Sequence, residues 1–208
     1  MKKLLIILLL PLFSLGQELN KTNDGYTEVV DIELSKKEIY QKVNEWVALN
    51  YNSAKDVIQL NTEDKVIVKG NFLVNFSVGN LVASYRIHNT LTFSIRDNKY
   101  KIDLIPNRAS SDTVGDIDSS LFNQFISLDT MTKEDYLKYS SEIVKESYLK
   151  LGYSEKKADK WVEKYVVSTV DDSYNLYMAN KTVWDDNIAS TFKNIKESIS
   201  SSNTDDDW

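Results

Sequence analysis

The chain has 208 residues, with 25 Lys and Arg against 31 Asp and Glu, a net charge of −6, one His and no Cys. The absence of cysteine excludes a disulfide scaffold, thiol catalysis and thiolate metal sites, and an acidic chain without a basic cluster argues against nucleic acid as a partner. Only two prolines and six glycines separate it from disordered, low-complexity sequences.

Residues 1–16 read as a signal peptide. Lys2 and Lys3 form a charged start, Leu4 to Leu15 an apolar stretch broken by Pro11, and Ser14-Leu15-Gly16 offers small residues for cleavage between Gly16 and Gln17. The stretch is shorter than the roughly 20 residues a membrane span needs, so the mature protein is expected to have no transmembrane span. No cysteine follows for lipid attachment. Export to the periplasm or beyond is therefore the expected address. Without Lys2 and Lys3, 23 basic residues face 31 acidic ones, a net charge of −8.

A polar leader, 17–25, ends in the turn signal Asn23-Asp24-Gly25. From Tyr26 the chain alternates, Val30, Ile32 and Leu34 against Val29, Asp31 and Glu33, which predicts a half-buried strand. Ser35-Lys36-Lys37-Glu38 is a capping box opening a helix, with Ile39, Val43, Trp46, Val47 and Asn50 on one face. A second strand is predicted from Asp56 to Leu60, closed by the polar turn 61–64. A third runs from Lys65 to Val78, with a bulge expected at Gly70-Asn71. Gly79-Asn80 signals a two-residue hairpin.

The fourth strand has the cleanest pattern in the chain. Ala83, Tyr85, Ile87, Leu91, Phe93 and Ile95 share one face, interrupted only by Asn89. Arg86, His88, Thr90, Thr92, Ser94 and Arg96 share the other. Asp97-Asn98 turns the chain into a last strand, with Tyr100, Ile102 and Leu104 inward and Pro106 as its end. One packed and one wet face predict an antiparallel sheet with helices on one side only.

The strand and the capped helix with Tyr40 and Trp46, followed by Val57-Ile58-Gln59 and Val68-Lys69-Gly70, resemble the family called domain of unknown function 4468 over about residues 26–105. The resemblance implies a fold like that of the TATA-binding protein, a curved antiparallel sheet with helix packing on one face. Members typically begin with a signal peptide. The family has no established activity, so no functional residue is carried over, and the fold name imports no DNA binding.

Residues 107–131 form a Ser- and Asp-rich connector containing the apolar Leu121-Phe122 and Phe125-Ile126. A helical extension, 132–200, follows. Thr132 caps a helix through Tyr136, Leu137, Ile143, Val144 and Tyr148 that ends at Gly152. Ser154 caps a second through Ala158, Trp161, Val162 and Tyr165. Trp184, Ile188, Phe192, Ile195 and Ile199 define a third, starting between Ser173 and Val183, before an acidic tail, 201–208, expected to be disordered. The expected class is thus α+β, β-α-β-β-β-β with about five strands, plus C-terminal helices.

Chemistry is sparse. His88 falls on a polar strand face with no readable partner, and a lone His without Cys excludes a His-rich zinc site. Asp112, Asp116 and Asp118 invite a calcium loop, but an EF-hand starting at Asp116 would put Leu121 and Ser127 where Gly and Glu are required. There is no Gly-rich phosphate loop and no Gly-x-Ser-x-Gly elbow. Most aromatics fall on inward stripes; Tyr139, Tyr153, Tyr174, Tyr177 and Trp208 do not. No cofactor is expected.

Two functional expectations follow. The first is a non-enzymatic binding module of the cell envelope; its alternative is a secreted hydrolase using carboxylates and His88. For the first, the open sheet face offers a positive patch, Arg86, His88, Thr90, Thr92 and Arg96 joined by Lys99 and Lys101. An anionic ligand or an acidic envelope protein is the partner such a patch would take.

Overall fold

The computed structural model describes residues 19–22, 24–78, 81–111, 115–116 and 131–201. The segment expected to be a signal peptide with Gly16 and Gln17, the expected hairpin at Gly79-Asn80, the apolar residues of 121–126 and the acidic tail with Trp208 lie outside them. Among the described residues, seven antiparallel strands form one sheet: β1 (Asn20–Lys21), β2 (Tyr26–Asp31), β3 (Ile58–Thr62), β4 (Lys65–Val78), β5 (Leu81–Arg96), β6 (Lys99–Ser111) and β7 (Gly115–Asp116). Six follow the order β1-β2-β6-β5-β4-β3, and β7 pairs with β6. The five longer strands correspond to the five expected, with the bounds of β3 and β6 shifted; the two-residue β1 and β7 are additions too short to carry a period.

Helix α1 (Lys36–Asn50) begins as its capping box dictates. The Ser35 amide and hydroxyl both donate to the Glu38 carboxylate, at 2.8 and 2.6 Å, while the Glu38 amide donates to the Ser35 hydroxyl at 3.3 Å. The bonds from the Ser35 side chain and backbone hold the Glu38 carboxyl below its usual range. The Lys36 amide donates to Asp97 at 2.8 Å, fastening the helix start to the β5–β6 turn, where Asn98 takes a positive φ of 61°. Ile39, Val43, Trp46 and Val47 are buried.

The sheet's inward face supplies the rest of the core, including Val66, Val68, Ile87, Leu91, Phe93, Tyr100, Ile102 and Leu104.

Three local expectations need correction. Ala54–Val57 is a helical turn, α2, so the strand predicted from Asp56 starts at Ile58 and runs to Thr62; Ala and Lys favour helix where the stretch has no alternation to resist it. Pro106 does not end β6, which continues to Ser111. The register shifts between His88 and Asn89, so Pro106 faces Asn89 and Arg108 faces His88, with Asn107 as the extra residue. A bulge accommodates a proline that cannot donate to the ladder. A second register shift lies between Ile58 and Leu60 on β3, whereas β4 passes Gly70 and Asn71 with unbroken register against β5. Gly70 serves close approach instead. A Cβ there would lie 2.5 Å from the Tyr51 ring.

The C-terminal helices are α3 (Lys133–Lys150), α4 (Glu155–Tyr165) and, after a 3-10 turn at Val167–Thr169, α5 (Val170–Ser200). Thr132 accepts from the Asp135 amide, and Gly152, at φ 82°, completes a Schellman ending in which its amide reaches Leu149 and that of Tyr153 reaches Tyr148. The Ser154 side chain makes no capping bond; only its carbonyl receives the first amides of α4. Helices α3 and α4 pack on each other, and the ring of Tyr136 meets those of Tyr174 and Tyr177 on α5.

Helix α5 starts at Val170, earlier than its apolar stripe suggests, because its first turns bury Tyr177, Asn180 and Lys181 instead of aliphatic residues. Further along, Trp184, Ile188, Phe192, Ile195 and Ile199 enter the same core as α1 and the sheet. The Asn180 amide accepts from the Ser77 N–H at 2.8 Å and donates to the Ser77 carbonyl at 2.9 Å. β3 pairs only with Lys65 to Val68, so this side chain takes up an edge of β4 that the strand does not reach.

Candidate functional site

The two sides of the sheet differ in kind. On the side away from α1 and α5, residues on β4, β5 and β6 follow the period of two that puts Val66, Ile87 and Tyr100 in the core. Arg86 and Arg96 are exposed, and His88, Thr90, Thr92 and Ser94 are half-buried. Neighbouring β4 adds Lys65 opposite Ser94 and Lys69 opposite Thr90. These two lysines were missed from sequence, although Lys65 and Lys69 alternate with Val66 and Val68. From Arg86 to Arg96 the stripe extends about 33 Å along the strand.

Not all of the expected patch is uncompensated. Lys101 pairs with Asp103 at 2.8 Å and Lys99 with Asp31 at 3.6 Å. Asp103 also accepts from the Thr27 hydroxyl at 2.7 Å. Lys65, Lys69, Arg86 and Arg96 make no ion pair among the described residues. Apolar groups share this face: Leu73 is 60% and Ile105 38% exposed. His88 sits at the bulge, its Nε2 3.1 Å from the Ser110 hydroxyl and 3.4 Å from the Arg108 guanidinium. The Asn107 side chain donates to Thr90 at 2.9 Å. The bulge thus gathers Asn107 and Arg108 beside His88.

The other side holds a cavity of about 330 Å³ between the end of α1, the sheet and α5. Its walls are the rings of Trp46, Tyr51 and Phe72, and among the described residues its polar lining is amides and hydroxyls with no charged side chain. Asn89, the one interruption of the β5 pattern, is 3% exposed and lines it. The Trp46 indole donates to Asn194 at 2.8 Å. Burial pushes the Tyr51 hydroxyl up to about 12, so it is neutral at ordinary pH. Asn50, expected on the buried face of α1, is exposed and lines the same cavity. A smaller cavity of about 240 Å³ lies between α3 and α4, where Lys145 pairs with Asp159 at 2.7 Å. Neither cavity is lined by His88.

Of the unassigned tyrosines, Tyr174 donates to the Met131 carbonyl at 2.9 Å and Tyr177 accepts from its amide at 3.3 Å. Tyr153 meets Tyr148, whose ring stacks on Trp161. Ring and hydrogen-bond contacts within the helical segment thus engage Tyr153, Tyr174 and Tyr177. Among the described residues no group of three or more His, Asp or Glu is placed to hold a metal, and no helix is long and apolar enough to cross a membrane.

An open antiparallel sheet with helices packed on its inward face places the molecule among α+β proteins. Residues 26–105 match the family described as domain of unknown function (DUF4468) with TBP-like fold. No function is assigned to that family. Among solved structures, the chain is similar to a DUF4468 family protein from Bacteroides ovatus, at 14% identity and a TM-score of 0.48, over 89% of this chain and 92% of the other. It is also similar to a TBP-like protein from Parabacteroides distasonis, at 21% identity and a TM-score of 0.37, over 45% of this chain and 62% of that one. No curated protein matches the chain.

Proposed function

We propose that this chain is an exported, non-enzymatic binding module of the cell envelope that docks an acidic protein segment along the open face of its sheet. The observation that carries the reading is a set of four exposed cations, Lys65, Lys69, Arg86 and Arg96, without ion pairs among the described residues and interspersed with exposed Leu73 and Ile105. A net acidic protein that concentrates cations on one face attracts anionic partners there and repels them elsewhere. A stripe some 33 Å long suits an extended segment better than a compact anion, and the apolar groups between the charges favour a protein chain. The address rests on the segment Lys2 to Gly16.

A photo-crosslinking residue at Thr92, in cells exporting the full chain, is expected to capture an envelope protein with an acidic segment. The same probe at Gln41, on the polar face of α1, is expected to capture none. Replacing Lys65, Lys69, Arg86 and Arg96 together by Ala abolishes the capture, and raised salt weakens it. Capture that is equal from both positions, or unchanged in the four-alanine variant, overturns the proposal. Sequencing the N-terminus of the exported form is expected to give Gln17; a form retaining Leu4 to Leu15 overturns the export reading.

A further inference from the structure

The uncharged cavity behind the sheet is a separate matter from the cation stripe in front of it. An Asn on the apolar face of a central strand costs stability unless both halves of its amide are satisfied. Asn89 satisfies one half weakly. Its Nδ2 lies 3.4 Å from the Ile87 carbonyl, and its buried Oδ1 has no partner among the described residues. Directly across the ladder is Gly70, whose missing side chain lets the Tyr51 ring close down as a wall. The two departures from a plain apolar strand pair, Asn89 and Gly70, therefore face each other beside one cavity.

Two further lining amides, Asn50 and Asn187, leave their side-chain oxygens unused among the described residues. Asn50 donates through its Nδ2 to the Trp46 carbonyl and Asn187 to the Val183 carbonyl, at 2.9 and 2.7 Å. What each has left, like Asn89, is its carbonyl oxygen and one N–H. Asn194 is reversed; it accepts from the Trp46 indole and keeps its Nδ2. Ser190 and Thr191 on α5 add hydroxyls, that of Thr191 donating to the Asn187 carbonyl.

A charged ligand would enter this lining without a counter-charge, and a purely apolar one would strand the amides. A ligand with several hydroxyl donors, no charge and an apolar ring face meets both demands. About 330 Å³ is at the small end of ligand cavities and suits a single ring. We propose that this cavity binds a neutral monosaccharide unit, with Asn89, Asn50 and Asn187 accepting from its hydroxyls and the Trp46 and Tyr51 rings against its C–H face.

The test uses the full mature chain and calorimetric titration with glucose, galactose, mannose, N-acetylglucosamine, glucuronate and glucose 6-phosphate. Saturable binding of at least one neutral sugar is expected, with the two anionic sugars at least about tenfold weaker. Asn89→Leu is expected to fold at least as stably as the parent, since it replaces a half-satisfied buried amide by an apolar group, and to weaken binding about tenfold or more. Ser190→Trp, at an exposed helix position on the cavity wall, is expected to block the site without touching the core and to give the same loss. Absence of saturable binding by every neutral sugar overturns the proposal. So does equal affinity for the anionic sugars, or binding unchanged in both variants.

Discussion

The indole Nε1 of Trp184 donates to the hydroxyl of Tyr26 at 2.6 Å, a buried hydrogen bond between residues 158 positions apart. It joins the first long strand of the sheet to the last helix. Trp184 also meets the Phe72 ring on β4, at 6.0 Å between centroids. A helix that contributes this much to the core cannot unfold alone. Denaturation of the protein is expected to show one transition for the sheet and α5 together. Trp184→Ala is expected to cost about 3–5 kcal/mol, and Trp184→Phe, which strands the Tyr26 hydroxyl, about 1–3 kcal/mol. Two separate transitions by circular dichroism and tryptophan fluorescence would count against the shared core.

Alkaline pH probes the same interior. Burial, ahead of any other influence, pushes the hydroxyls of Tyr26 and Tyr51 up to about 12 and raises that of Tyr100 as well. A raised value in the folded state means the unfolded chain releases its protons first. The stability these neutral tyrosines contribute is complete below the ordinary tyrosine value of about 10 and is lost as pH rises from there to about 12. Denaturant midpoints are expected to fall across that window. Tyr51→Phe, which removes a hydroxyl without breaking a hydrogen bond among the described residues, should flatten the fall. An alkaline slope identical to the parent's would disprove that assignment.

Glu28 is 4% exposed and receives Lys196, whose side chain is 33% exposed, at 2.6 Å, so β2 and α5 share an ion pair that is buried on its acidic side. Lys196→Met leaves the carboxylate buried without its partner and is expected to cost about 3–5 kcal/mol. Glu28→Gln added to Lys196→Met should recover a large part of that loss, because the uncompensated charge is gone. Urea titration of the two variants decides it; a double variant weaker than the single one would show that the pair stabilises by more than charge compensation.

Much of this architecture was readable from short-range patterns. The capping box at Ser35, the alternation of β5 and the Gly152 ending of α3 are each determined within a few residues, and each appears where its pattern puts it. What could not be read depends on partners distant in the chain. Pro106 looks like a strand end by its own chemistry, and only the bulge opposite His88 lets β6 pass it. Helix α5 carries Asn180, a polar residue buried where the backbone of Ser77, on β4, receives it. The cavity joins residues from Trp46 to Asn194, so no spacing announces it. Its single local trace was Asn89, an apparent flaw in an apolar face.

Gly70 makes way for a ring from the end of α1. With its unbroken register against β5, this glycine relieves no strand irregularity; it leaves room for the Tyr51 ring, whose carbons would sit 2.5 Å from an added Cβ. Tyr51 is held on its other side by Trp46, edge to face at 5.9 Å, so it cannot simply swing away. Gly70→Ala is therefore expected to destabilise by about 1–3 kcal/mol, the usual cost of overpacking, even though Ala suits a strand better than Gly. Tyr51→Ala alone opens a space and also destabilises. In the double variant the new methyl meets no ring, so the combined loss should fall short of the sum by about 1 kcal/mol or more. Strict additivity in a denaturant-based double-mutant cycle would mean that Gly70 is required for some reason other than Tyr51.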